Sequence, residues 1–79
     1  MSHEPVLNTV SLDEQIMLAH ENHDVHRLSY LYEQGALRAD TVDSACFLAT
    51  QAYIFALESD HHNQDRLRQF LIKHGREQG

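Results

Sequence analysis

Alanine recurs at positions 45, 49, 52 and 56, at steps of four, three and four, and no other feature limits the possible folds as much. At about 100° per residue the four methyl groups fall in one narrow arc of a helix, whereas a strand would scatter them over both faces. The spacing predicts a third helix over about residues 42–59 whose small side lets a neighbouring helix approach closely. Cys46 and Tyr53 would grip that neighbour on one flank, Leu48 and Phe55 on the other. Asp43, Thr50, Gln51 and Glu58 define the opposite, polar sector, yet Phe47 and Ile54 project from its middle. Two readings follow. Either the fourth helix or the N-terminal segment, through Val6, Leu7 or Val10, folds over the pair, or Phe47, Gln51, Ile54 and Glu58 form an exposed stripe that meets a partner.

The rest of the chain reads as helix too, because one proline and three glycines interrupt it and its apolar residues recur at three- and four-residue steps. The expected fold is all-α: a four-helix domain of two antiparallel helical hairpins or a small bundle. Ser11 and Glu14 have the spacing of a capping box, opening a first helix over about 12–22 that turns Leu12, Ile16, Ala19 and His23 to the core. Asp24 caps a second helix in which Val25, Leu28, Tyr32, Gly35 and Ala36 share a face, ending near Arg38. Tyr30 and Leu37 project off that face and make a second candidate patch. Residues 60–63 form a connection in which His61 and His62 read as surface decoration. A fourth helix then turns Leu67, Phe70, Leu71 and His74 inward until Gly75 ends it. The organisation is an N-terminal segment over 1–10, a single domain over 11–75 and a tail over 76–79.

A chain of 79 residues buries a smaller share of its surface than a larger one, so docking or self-association is a physical expectation before any motif is considered. The formal net charge of -6 repels polyphosphate and argues against nucleic acid as the partner. Residues 1–63 carry ten acids and two bases, and the remainder carries Asp65 and Glu77 against Arg66, Arg68, Lys73 and Arg76. The single cysteine, Cys46, rules out an intrachain disulfide and suits a reduced, buried thiol and a cytoplasmic setting. The first ten residues lack a basic start and long apolar run, and Cys46 to Leu57 is too short to span a bilayer.

From His23 to Gly35 the chain resembles a tetratricopeptide-repeat segment, with Asp24, Tyr32 and Gly35 at the matching Asp, aromatic and small positions. Ala19 lies where the first helix of such a repeat carries its Tyr, and Tyr53 stands at that position in a second unit about one repeat length later. The resemblance spans 9–42 fairly and 43–75 loosely; Leu28 replaces the usual small residue and no proline closes either unit. It implies a protein-interaction module of two hairpins, too few repeats to cover their own ends and therefore prone to dimerise.

Seven histidines raise a metal question, and His20, His23 and His26 stand at three-residue steps. Asp24 interrupts the helix between His23 and His26, so convergence is not expected and no metal or other cofactor is assigned; His20 and His23 remain weak candidates. Protonating all seven histidines would move the formal charge from -6 to +1 and so alter association on mild acidification. No glycine-rich phosphate loop, nucleophile elbow or HExxH motif occurs, and Cys46 sits among packing residues, so the chain reads as non-enzymatic. The expected function is a helical protein–protein interaction module, an adaptor or a homodimer, using Phe47, Gln51, Ile54 and Glu58 with Tyr30 and Leu37. The alternative is a small metal- or ligand-responsive regulator that uses its histidines.

Overall fold

Local capping sets the helix boundaries before any packing is considered. The Ser11 hydroxyl accepts from the Glu14 amide at 3.1 Å while the Glu14 carboxylate takes the Ser11 N–H at 3.2 Å, which completes the capping box. Asp24 accepts from the Arg27 amide, and Thr41 from the Ser44 amide. The computed structural model describes residues 11–76, and these caps open its first three helices: α1 (Leu12–Glu21), α2 (Val25–Leu37) and α3 (Val42–Ser59), followed by α4 (Gln64–Lys73). The described residues contain no strand, so the molecule is all-α with four packed helices. Residues 1–10, including Val6, Leu7 and Val10, lie outside the described residues.

The helix ends correct one expectation. His23 belongs to no core stripe: it takes a left-handed φ of 54° and is exposed. Its own N–H reaches the His20 carbonyl and the Asp24 N–H the Ala19 carbonyl, so the last turn closes by bending the chain through His23. The same device ends α3, where Asp60 has φ 54° and the His61 N–H reaches the Ala56 carbonyl. Gly75, at φ 73°, ends α4 as expected. His and Asp are among the few residues with a side chain that occupy this conformation with any frequency.

Helices α2 and α3 form the central pair. Ser29 of α2 lies against Ala52 of α3 and Gly35 against Leu48, so the two run antiparallel. Ala49, Ala52 and Ala56 are buried with Cys46, and Leu67 and Leu71 of α4 complete that cluster. A Cβ added at Gly35 would lie 3.4 Å from the Leu48 side chain and 3.6 Å from Leu12, in ordinary contact with both at the point where three helices meet. The opposite edge buries Ala19, Leu28 and Leu31, with Leu12, Ile16 and Phe55 packed on them. Thus α1 docks through the α2 edge of the pair and α4 through the α3 edge. No helix among the described residues is long and apolar enough to cross a membrane.

Candidate functional site

Because α3 turns its small residues inward, its large ones are left over. Phe47 is 63% exposed and Ile54 44%. They lie seven residues apart, about 10 Å along the axis, with half-buried Gln51 between them and exposed Glu58 beyond. The fourth helix does not cover them, since it packs on the Cys46–Ala49–Ala56 side. Leu57, also exposed, widens the stripe on the flank toward Thr50. At one end of the stripe Asp43 accepts a 2.6 Å hydrogen bond from Arg76, so its charge there is offset.

The second patch lies elsewhere. Tyr30 (48% exposed) and Leu37 (73%) stand on the outer face of α2 and line an open cleft of about 620 Å³ between α2, the 60–63 connection and the start of α4. Sequence reading therefore names residues of two separate surfaces, and only the α3 set forms one continuous stripe.

Beneath the cleft, reached from it through Glu33 and His61, lies a buried polar network that was not anticipated. Ser29, Glu33, His61 and Asn63 are all buried. The Ser29 hydroxyl donates to the Ala52 carbonyl at 2.7 Å, and Asn63 Nδ2 donates to Ser29 Oγ at 3.1 Å and to Glu33 Oε1 at 3.0 Å. Arg66 closes the network with two hydrogen bonds to Glu33, from Nε at 2.6 Å and Nη2 at 2.9 Å. This bidentate pairing, more than the opposing burial, holds the Glu33 carboxyl below its ordinary value, and Asn63 adds to it. No buried side-chain polar atom among the described residues lacks a partner. In the sequence, Ser29 and Glu33 stand four apart at the edge of the apolar stripe of α2, the one clue that a polar ridge faces a neighbour.

The histidines divide by environment. His61, expected on the surface, is 4% exposed: its N–H is committed to Ala56 and its Nδ1 accepts the Asn63 N–H at 3.2 Å. Its ring stacks on His62, with centroids 4.4 Å apart, and meets His26 at a tilt, at 4.1 Å. His20 instead hydrogen-bonds the Tyr32 hydroxyl at 3.0 Å and lies edge-on to Tyr32 and Phe55, tying α1 to the central pair. With His20 so engaged and His23 turned out at a helix end, the three-residue histidine spacing brings no rings together. Among the described residues no three His, Cys, Asp or Glu side chains are grouped to hold a metal ion. Cys46 is a buried free thiol in the α3–α4 cluster. Compared with known protein families, curated sequences and solved structures, the chain matches none.

Proposed function

We propose that this protein is a non-enzymatic helical interaction module that self-associates through the outer face of α3, with an adaptor role toward another protein as the wider possibility. One observation carries the reading: α3 hides its alanines and presents Phe47 and Ile54 to water, framed by Gln51 and Glu58. Large apolar groups inside a polar rim are the usual composition of a docking surface. Two copies of α3 packed antiparallel would set Phe47 of each against Ile54 of the other. The Glu58 of each would then meet the Asp43–Arg76 ion pair rather than a bare carboxylate, which favours the second copy as occupant.

The stripe is narrow. Interfaces that hide less than about 1,200 Å² in total belong to weak encounters, so dissociation constants in the micromolar range or above are expected. Consecutive packing of α1 on α2, α2 on α3 and α3 on α4 supports the tetratricopeptide-like reading, and Asp24, Tyr32 and Gly35 occupy capping, packing and close-approach positions compatible with it. Sedimentation equilibrium over a wide concentration range tests the proposal. A mass rising toward the dimer is expected, with Phe47→Ser/Ile54→Ser remaining monomeric; a wild-type monomer at every concentration removes self-association.

A further inference from the structure

The connection between α3 and α4 is held by a histidine that must be neutral to hold it. His61 Nδ1 accepts from the Asn63 N–H, so in this arrangement the ring carries its single proton on Nε2. A second proton could go only to Nδ1, where it would face another donor at 3.2 Å and break the bond. The charge so formed would also be placed badly. Packed against the ring or facing it are His26 from α2 and His62 from the connection, each adding like charge when protonated, and Arg66 from α4. Glu33 of α2 is the facing anion, but both its oxygens are held by Arg66 and one also by Asn63. Asp24 and Arg27 of the α2 start line the same cleft as the ring, and the neighbouring Asp60 carboxylate accepts from the Gln64 side chain.

We infer that His61 is a proton-operated latch for α4: protonation of its ring releases Asn63, and with Asn63 the polar network that fixes the start of α4 to α2. The inference goes beyond the interaction reading and does not depend on it. Its consequence follows from connectivity, because Asn63 is at once the residue before α4, the acceptor's donor, and the bridge to Ser29 and Glu33. Once it withdraws, α4 retains the packing of Leu67, Phe70 and Leu71 and the half-exposed Arg66–Glu33 ion pair, and loosening that packing exposes the alanine cluster beneath. Burial first, then the charges of His26 and His62, hold the His61 pKa below the ordinary imidazole value. A depressed imidazole pKa means that the loosened state binds more protons. The latch is therefore complete above about pH 6.5, the ordinary imidazole value, and its contribution is lost as pH falls from there through the folded-state value.

The test is residue-resolved amide exchange on the whole chain at dilute concentration, corrected for intrinsic rates, at pH 7.5 and pH 5. Protection over Gln64–Lys73 is expected to fall about tenfold for each unit by which the His61 pKa is depressed, while Leu28 to Leu31 keep theirs. His61→Asn, whose side-chain oxygen accepts but cannot be protonated in this range, should abolish the fall. Equal pH response in that variant, or none in the wild type, overturns the latch. Imidazole nitrogen shifts of the wild-type protein provide a second readout that needs no variant. A neutral Nε2–H tautomer titrating below about 6.5 supports the latch, and a ring titrating at or above that value overturns it.

Discussion

The two faces of α3 invert the usual distribution of size. Its inner face is built of Ala49, Ala52 and Ala56, fully buried, and its outer face carries Phe47, Ile54 and Leu57, all exposed. Small groups inside bring the backbones of α2 and α3 close enough for Ser29 to reach the Ala52 carbonyl at 2.7 Å. Large groups outside contribute little to the isolated fold and have apolar area to bury elsewhere. The contrast teaches that here the small side chains of α3 form the centre of its packing surface, with Tyr53 and Phe55 packed beside them, while Phe47, Ile54 and Leu57 are left exposed.

The strongest way to break that contrast is to enlarge the inner face. Ala52→Leu, at a position with no exposed surface, should destabilise by about 2–3 kcal/mol in denaturant titration, because the antiparallel backbones cannot part without disrupting their contacts. Next comes the polar end of the same seam. Asn63→Ala leaves the buried Ser29 hydroxyl oxygen without a donor and takes one of three hydrogen bonds from Glu33, and should cost about 1–2 kcal/mol by the same measurement. The smallest effect on folding belongs to the outer face: Phe47→Ser with Ile54→Ser should shift monomer stability within about 0.5 kcal/mol, while removing the concentration dependence of the mass. A large stability loss from that pair would mean that both faces serve packing.

Much of this was legible in the sequence. Capping at Ser11 and Asp24, the extent of α3 and three of the four alanines of its seam follow from local chemistry and periodicity and are found in the structure, while Ala45 is only half-buried. The misses arise from local turn closure and from distant polar partners, neither of which leaves a periodic trace. His61 sits in a short polar connection that looks solvated until Ala56 and Asn63 take its hydrogen bonds. Asn63 stands at the residue before α4 and would be expected to cap it, yet its side chain makes no cap bond and turns instead to partners 34 and 30 residues away. His23 looked like core because the three-to-four spacing continued through it, but the helix had already closed on Ala19 and His20. Of the candidate contact residues, Phe47, Gln51, Ile54 and Glu58 share the face expected for them, whereas Tyr30 and Leu37 belong to the cleft over the polar network.

The reading of α3 as a helix packed on one side and docking on the other is tested most directly by a dilution series followed by heteronuclear NMR. Signals of Phe47, Gln51, Ile54 and Glu58 should move together with concentration, while those of Ala49, Ala52 and Ala56 stay fixed. Shifts that arise at the alanines, or a spectrum unchanged at every concentration, would contradict it.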